Sequence, residues 1–301
     1  EAVSLSLHLG VPKIIIGATI VSLGTTLPEA SVSVLAAVNG NPDLALGNAI
    51  GSIIADTGLI IGLAALIGYL PVDRIIVERQ GRIQVWAGIL LAVLCLPFLS
   101  GGENGNIRQW MGWVFIGLLI AYIYISIKWS RDFNSSELQE SMDIIRSGDE
   151  TASAEEVLVE EGNPAAVQVL KMAAGIILVI GSSKVLIPVV EITAVRLGVP
   201  QSIIAATLIA FGTSLPELVT ALTAVRKGHG ELAVGNIVGA DILNVLFVIG
   251  GAASVTAGGL DVPLDFYKLQ IPTMVIVLVV FRLFTKGKNE YISKKEGFAL
   301  F

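Results

Sequence analysis

Two glutamates lie inside long apolar runs of this 301-residue sequence, each directly after a proline. "GTTLPEA" covers residues 24–30 and contains Glu29, and the near copy "GTSLPEL" covers residues 212–218 and contains Glu217. An ionisable side chain within a membrane-type apolar segment is costly and normally has a function. The two copies therefore indicate a site that binds a ligand of opposite charge.

The composition places both motifs in a membrane. Hydrophobic residues make up 54% of the chain and charged residues only 15%, which excludes an ordinary soluble domain. Apolar runs of about 20 residues, long enough to cross a bilayer, recur along the whole chain. We predict eight spans, near residues 11–38, 44–70, 83–100, 110–128, 165–190, 199–225, 231–257 and 267–285. A ninth apolar run begins at "EGFALF" and reaches only Phe301.

Basic residues predict the orientation of these spans. They gather after the second, fourth, sixth and eighth spans, whereas the opposite loops "NGNPD", "GGENGN" and "GGLDVPLD" contain none. Because short basic loops stay cytoplasmic, we place the basic ends in the cytoplasm. Arg108 and Arg196 are single exceptions. The residues used are Arg74, Arg79, Arg82, Lys128, Arg131, Arg226, Lys227, Lys286, Lys288, Lys294 and Lys295.

One long polar segment divides the chain. We predict a first transmembrane repeat at 1–128, an acidic cytoplasmic linker at 129–164 and a second transmembrane repeat at 165–301. A regulatory calcium site in "SGDETASAEEVLVEEG" is an alternative, but its acids do not alternate around a central glycine. The composition favours a solvated, mobile connector.

The two motifs belong to a longer internal repeat. Residues 9–65 align without a gap to residues 197–253, at a constant offset of 188 positions, as between Glu29 and Glu217. The predicted orientation makes the first span leave the cytoplasm and the equivalent sixth span enter it. We therefore predict an inverted-topology repeat.

The proline of each motif removes a backbone donor and obstructs the preceding helical turn. This predicts interrupted helices near residues 24–28 and 212–216, with the carbonyls of Thr25 and Thr213 free to face a ligand. Free carbonyls in hydrocarbon are costly unless something coordinates them. A kinked helix whose polar groups satisfy one another is the alternative, but two copies in inverted symmetry favour an ion site.

The donor types indicate which ion such a site would hold. Carboxylates, hydroxyls, carbonyls and an asparagine form an all-oxygen set, which suits Ca²⁺ or Na⁺ and does not suit Zn²⁺ or copper. Glu29 and Glu217 together match a divalent charge. His8 and His229 lie at span ends, and the single Cys95 cannot form an intrachain disulfide, so we expect it in the apolar core.

The paired stretches "GTTLPE…GNAIGSIIAD" and "GTSLPE…GNIVGADILN" resemble the two alpha-repeats of the cation/calcium antiporter superfamily. The resemblance covers essentially the whole chain and is nearest to the sodium/calcium exchanger branch of prokaryotic type. It implies a secondary active antiporter that exchanges Ca²⁺ for Na⁺ by alternating access. The proton-coupled branch, which usually carries a "GNATE"-type motif, is the alternative coupling, and a cation channel is a more distant one.

The resemblance also implies the architecture and partners. The expected fold is an all-α polytopic membrane protein of two inverted repeats, about five helices each, around four central cation sites. The first and last helices are expected to be absent or truncated, because no span precedes Val3 and the last helix stops at Phe301. We expect no cofactor, no enzymatic activity, no nucleic acid and no obligatory protein partner. The expected partners are Ca²⁺, Na⁺ and the bilayer of a prokaryotic inner membrane. Whether H⁺ is also a partner is left open.

By the same resemblance, Glu29 and Glu217 are calcium ligands, aided by the carbonyls of Thr25 and Thr213. Hydroxyls forming the sodium sites come from Ser22, Thr26, Ser52 and Ser214. The sequence departs from the pattern at Ala210 and Ala240, the repeat mates of Ser22 and Ser52, so one sodium site is expected to be weaker or to rely on carbonyls.

Three further residues complete the candidate set. Asp56 and its repeat mate Asn244 are expected in the same pocket. Three carboxylates around one divalent ion leave excess negative charge that desolvation penalises, so we expect Asp56 to carry a proton. Asp241, whose repeat mate is Ile53, either faces the ion pathway or pairs structurally near a helix end. An intramembrane hydrolase using Asp56 and Asp241 would leave both glutamates unexplained.

Overall fold

The computed structural model describes residues 13–72, 74–97, 104–147, 209–287 and 290–301, with isolated helical residues between 167 and 196. Side chains are described for these ranges except at 74–77 and 130–147. Most of the predicted span 165–190, the first part of the span 199–225, and residues 148–164 of the predicted linker lie outside the described residues. The described ranges are mainly helical, as predicted.

Eleven helices and four short strands make up the described ranges. In the first half, the helices are α1 Lys13–Thr25, α2 Leu27–Val38, α3 Pro42–Ile67, α4 Arg74–Leu94 and α5 Gln109–Ser147. In the second half they are α6 Ile209–Thr213, α7 Leu215–Arg226, α8 Gly230–Val255, α9 Leu264–Lys268, α10 Gln270–Thr285 and α11 Lys294–Leu300. The strands are β1 Leu70–Pro71, β2 Gly105–Ile107, β3 Leu260–Val262 and β4 Tyr291–Ile292.

Length and composition allow several of these helices to cross a membrane. Among the described residues, α3, the first part of α5, α8 and the continuous run of α9 and α10 each pass this test. Helices α1 and α2 pass together as one span bent by 43°. These helices correspond to the predicted spans at 44–70, 110–128, 231–257, 267–285 and 11–38.

Two helices extend beyond the spans predicted for them. The span predicted at 83–100 is helix α4, which begins at Arg74 and ends at Leu94, so the arginines predicted in the preceding loop lie within a helix. Arginine and glutamate favour helices, and Arg82 pairs with Glu78 one turn earlier at 3.1 Å. Helix α5 continues beyond residue 128 to Ser147, so residues 129–147 of the predicted linker are helical.

The central helices α3 and α8 are repeat mates, and each packs through glycine against a helix of the opposite repeat. A Cβ on Gly62 of α3 would lie 2.8 Å from the Gly297 carbonyl oxygen of α11. A Cβ on Gly112 of α5 would lie 2.8 Å from the carbonyl oxygen of Gly250 in α8. Gly62 and Gly250 are 188 positions apart, so the two contacts are equivalent. Small residues allow such close helix packing in membranes.

The short strands also pair between the two repeats. Strand β1, which follows α3, pairs antiparallel with β4, which precedes α11. Strand β3, which follows α8, pairs antiparallel with β2, which precedes α5. Each repeat therefore completes a small sheet of the other. Gly40 and Gly228, again 188 positions apart, occupy the left-handed region with φ of 76° and 78° at equivalent turns.

Helix α1 lies directly on α8. It contains a π-helical turn at Gly17–Val21, and a Cβ on Gly17 would lie 2.6 Å from the Leu232 carbonyl oxygen. Gly235 and Gly239 of α8 face α1 in the same way, against the backbones of Ile14 and Ala18. This contact brings the end of α1, which carries the first motif, against the middle of the second repeat.

Candidate cation-binding site

Both motifs interrupt a helix, as predicted. Thr26 separates α1 from α2 with φ −82° and ψ −1°, and Ser214 separates α6 from α7 with φ −81° and ψ 7°. Each proline occupies the first turn of the following helix, where backbone N–H groups have no partner within the helix and a missing one costs little. The breaks therefore place a glutamate in the first turn of both α2 and α7.

The two breaks meet through hydrogen bonds that cross between the repeats. The Thr26 hydroxyl donates to Glu217 Oε1 at 3.4 Å, and the Ser214 hydroxyl donates to Glu29 Oε1 at 3.3 Å. Both glutamates are fully buried. Because Thr26 and Ser214 are repeat mates, as are the two glutamates, the arrangement has the twofold relation that inverted repeats produce.

A second crossed pair flanks the first. The Thr25 hydroxyl donates to Asn236 Oδ1 at 3.3 Å, and the Thr213 hydroxyl donates to Asn48 Oδ1 at 2.9 Å. Asn48 and Asn236 are also 188 positions apart. Sequence reasoning missed both asparagines as site residues, although they stand in the quoted stretches "GNAIG" and "GNIVG" and share the repeat offset.

The asparagine amides hold the helices behind the glutamates. Asn48 Nδ2 donates to the Glu29 carbonyl oxygen at 3.2 Å and to Ser33 Oγ at 3.0 Å. Asn236 Nδ2 donates to Thr220 Oγ1 at 3.0 Å, and Thr220 donates to the Glu217 carbonyl oxygen at 3.0 Å. These asparagines therefore fix the positions of α2 and α7 from the central helices α3 and α8.

Several buried oxygens near these pairs have no hydrogen-bond partner among the described residues. They are Glu29 Oε2, Glu217 Oε2, both carboxylate oxygens of Asp56, Ser52 Oγ and Asn244 Oδ1. Leaving such groups unpaired is costly, and each calls for a ligand or another explanation. Oxygens of this kind are the ligands that hard cations prefer. This donor set fits Ca²⁺ or Na⁺ as a transported ion.

The charge balance indicates the same ligand class. Four carboxylates are buried in the described ranges, Glu29, Asp56, Glu217 and Asp241, and no lysine or arginine is buried there. Uncompensated buried charge is strongly unfavourable, so bound cations or protons must neutralise part of it. No group of three His, Cys, Asp or Glu side chains in these ranges is arranged to hold a metal ion. A cation would therefore also need hydroxyl, amide or carbonyl ligands.

The remaining predicted site residues lie at the same break or in the central helices. The Ser22 hydroxyl is buried and donates to the Thr19 carbonyl oxygen at 3.2 Å. The carbonyl oxygen of its repeat mate Ala210 accepts from the Thr213 hydroxyl at 3.0 Å and from the Ser214 amide at 3.1 Å. Ala240, the repeat mate of Ser52, is fully buried and has no hydroxyl, so the second repeat lacks a side-chain oxygen at this position.

Asp241 pairs with side chains that sequence reasoning missed. Its Oδ2 accepts hydrogen bonds from the Thr57 hydroxyl and from Gln84 Nε2. These hydrogen bonds are the structural pairing that was one of the two expected roles of Asp241. The residue lies two positions before Leu243, where the α-helical first part of α8 ends and a π-helical stretch begins. Thr57 could have been noticed beside Asp56, whereas nothing in the sequence distinguished Gln84 of α4.

Cys95 and His229 lie apart from these contacts. Cys95 is buried among apolar side chains, as predicted, and its carbonyl oxygen accepts a hydrogen bond from the Tyr267 hydroxyl. His229 immediately precedes α8. Its ring is partly desolvated and close to Lys13, and both effects lower the pKa of its imidazole. His8 is outside the described residues.

Comparison with known proteins identifies the family. A family model described as sodium/calcium exchanger protein matches residues 1–128 and 167–301. The inner membrane protein YrbG of Escherichia coli K12 is 33% identical over 276 residues, which cover 91% of this chain and 78% of the relative. The putative antiporter CaxA of Alkalimonas amylolytica is 30% identical over 299 residues, which cover 98% of this chain and 87% of the relative.

A solved structure shares the fold. The sodium-calcium exchanger NCX_Mj, in a crystal soaked with Na⁺ and Sr²⁺, superposes with a TM-score of 0.76 at 27% identity, covering 99% of this chain and 88% of that one. The family match, the inverted repeats and the crossed, all-oxygen site agree with one another. The chain belongs to the sodium/calcium exchanger family, and it is an integral membrane cation/calcium antiporter, not an enzyme.

Proposed function

We propose that the protein exchanges Ca²⁺ for Na⁺ across a membrane by alternating access. The observation that carries the proposal is the crossed pairing of Thr26 with Glu217 and of Ser214 with Glu29. It brings two carboxylates from opposite repeats to one buried place. Two negative charges match one Ca²⁺, and the same carboxylates are suited to Na⁺ when Ca²⁺ leaves.

Each residue of the site has a proposed role. Glu29 and Glu217 bind Ca²⁺ together with the carbonyls of Thr25 and Thr213. The sodium positions use oxygens from the remaining residues, which are Ser22, Thr26, Ser52, Asp56, Ala210, Ser214 and Asn244. Ala210 contributes only its carbonyl, because its side chain has no oxygen. Ser52 and Asn244 each have a buried, unpartnered side-chain oxygen that suits this role.

The crossed hydroxyls suit a site that fills and empties. A hydroxyl has one donor and two acceptor lone pairs, so Thr26 can keep its hydrogen bond to Glu217 while its oxygen faces a cation. The same holds for Ser214 and Glu29. The bonds also hold the glutamates in place when no cation is bound. This preorganisation lowers the cost of ordering the site when an ion enters.

The similar proteins support the coupling ion and the location. NCX_Mj is called a sodium-calcium exchanger and was soaked with Na⁺ and Sr²⁺, which favours Na⁺ as the counter-ion. The Escherichia coli relative is called an inner membrane protein, which favours the prokaryotic inner membrane. We place the acidic linker 129–164 in the cytoplasm, between the repeats 1–128 and 165–301.

Proton coupling is the second candidate, because a specific observation favours it. Four buried carboxylates face no buried basic side chain in the described ranges, and carboxylates that lack such partners bind protons as well as cations. The name of the relative CaxA states an antiporter without naming its ions. The two couplings make different predictions about which gradient drives calcium movement.

Calcium uptake into liposomes containing the purified protein tests the proposal. Liposomes loaded with Na⁺ are diluted into Na⁺-free medium containing radioactive Ca²⁺, with and without a sodium ionophore. We expect uptake that the sodium ionophore abolishes and a protonophore does not. Uptake that requires a pH gradient and ignores Na⁺ would establish proton coupling. Uptake that continues without any counter-gradient would indicate a channel.

A further inference from the structure

Asp241 is a fourth buried carboxylate that the crossed cation site does not use. It is 2% exposed and lies in the middle of α8, where it meets Thr57 of α3 and Gln84 of α4. Its repeat mate is Ile53, so the twofold relation of the crossed site does not account for a carboxylate here.

The hydrogen bonds of Asp241 are unequal on its two oxygens. Both donors, the Thr57 hydroxyl and Gln84 Nε2, point at Oδ2. Oδ1 is buried and has no partner among the described residues, and neither has Gln84 Oε1. A carboxylate oxygen and an amide oxygen are both acceptors, so Oδ1 and Gln84 Oε1 can pair only if Oδ1 carries a hydrogen. Protonation at Oδ1 would supply a donor for Gln84 Oε1 and leave Oδ2 as the accepting oxygen, which is the oxygen that both donors contact.

A metal cation fits this position less well. Ca²⁺ takes six to eight oxygen ligands, but only Asp241 Oδ1 and Gln84 Oε1 are unpartnered in this cluster. The two donors already direct hydrogens at Oδ2, which would repel a cation bound there. A proton needs only one covalent bond and one acceptor. The cluster of Asp241, Thr57 and Gln84 therefore suits a proton better than a metal cation.

We propose that Asp241 is a proton-binding site beside the cation site, with the proton on Oδ1. The reaction is the reversible protonation of a carboxylate by solvent, and no other reactant is needed. The protonation of Asp241 does not depend on the proposed cation site, but its effect on cation binding does. A proton on Asp241 removes one buried negative charge and lowers the attraction of the site for cations.

Other charged groups define the surroundings of Asp241. Asp56 of α3 and Glu217 of α7 are close enough to interact with it electrostatically. Glu78 and Arg82 of α4 have exposed side chains, and the described part of α1 carries only Lys13 at its start. Among charged groups, Asp241 therefore interacts mainly with carboxylates of the cation site, so cation binding and proton release at Asp241 favour each other.

Infrared spectroscopy of the intact protein tests the protonation itself. We expect a carboxylic-acid C=O band at neutral pH that is lost in Asp241→Asn but kept in Asp56→Asn, which separates it from the band of a protonated Asp56. Thr57→Val keeps the carboxyl and removes one donor from Oδ2, so it should shift the same band to higher frequency. This second variant keeps the test usable if Asp241→Asn does not fold. A spectrum that neither substitution changes would overturn the proposal.

Calcium affinity measured across pH tests the consequence. We expect the affinity of the wild type to rise with pH, by at most about tenfold per pH unit for each coupled proton, and the rise to be shallower in Asp241→Asn. An identical pH dependence in both proteins would contradict the coupling, and loss of calcium binding at every pH would make Asp241 an ionised ligand. The infrared result does not depend on Na⁺ coupling, so it separates failure of this proposal from failure of the proposed exchange.

Discussion

The hydroxyl of Thr26 donates to the carboxylate of Glu217, 191 positions later in the chain, at 3.4 Å. The equivalent bond from Ser214 to Glu29 spans 185 positions at 3.3 Å. Neither repeat supplies both members of a pair, so neither repeat forms the site alone. Each glutamate is held by the repeat to which it does not belong, and a change in one half of the site therefore affects the other half.

Replacing either glutamate should abolish calcium transport. Glu29→Gln and Glu217→Gln each leave a divalent ion with about half of its countercharge in a buried site of low dielectric. Radioactive calcium uptake into liposomes is the measurement. Asp265→Asn is a matched control, because Asp265 is exposed and pairs with exposed Lys268 at the surface. Near-normal uptake by both glutamine variants would refute the assignment of the site.

Asp56→Asn should retain calcium transport at neutral pH better than either glutamine variant does. Both Asp56 oxygens are buried and unpartnered among the described residues, and a protonated Asp56 would resemble its repeat mate Asn244 in charge and shape. The substitution should also weaken the pH dependence of uptake, because it removes a titrating group. If it stops transport as completely as Glu29→Gln, Asp56 is an ionised ligand.

The paired asparagines should act on the site through the helices they hold. Asn236→Ala removes one acceptor of the Thr25 hydroxyl and the donor to Thr220 Oγ1. Asn48→Ala removes one acceptor of the Thr213 hydroxyl and the donor to Ser33 Oγ. The four hydroxyls keep backbone carbonyl acceptors, so each lost side-chain hydrogen bond should cost about 0.5–1.5 kcal/mol. We expect a lower melting temperature and weaker calcium affinity in each variant, measured by thermal unfolding and by calcium binding. An unchanged melting temperature and calcium affinity in both variants would contradict this role of the asparagines.

Replacing either of the equivalent glycines Gly62 and Gly250 by alanine should lower the stability of the protein to a similar extent. A Cβ at Gly62 would lie 2.8 Å from the Gly297 carbonyl oxygen and one at Gly250 would lie 2.8 Å from Phe115 Cβ. Gly62→Ala and Gly250→Ala must therefore shift a packed helix, which typically costs about 1–3 kcal/mol. Gly117→Ala on α5 is the control, since a Cβ there meets nothing within 4 Å. Equal thermal stability in all three variants would contradict the packing.

Sequence information predicted the parts of the site that the repeat makes visible. The constant offset paired Glu29 with Glu217, and the prolines located both breaks. Asn48 and Asn236 follow the same offset, but their role depends on which helices lie behind the motifs, and the sequence does not show that. Gln84 could not be found, because α4 carries no motif and its partner Asp241 breaks the repeat symmetry. The start of α4 was missed because its arginines resembled a loop, although arginine is compatible with a helix.

Competition between Ca²⁺ and Na⁺ is the most direct test of the central claim, which is that residues of both repeats form one shared site. Calcium binding to the purified protein is titrated while Na⁺ replaces a bulky inert cation at fixed ionic strength. If the same two glutamates serve both ions, the apparent calcium affinity falls as Na⁺ rises, and neither glutamine variant binds calcium well enough to show the effect. An apparent calcium affinity that Na⁺ leaves unchanged would mean that the sites are separate or that Na⁺ is not the coupling ion.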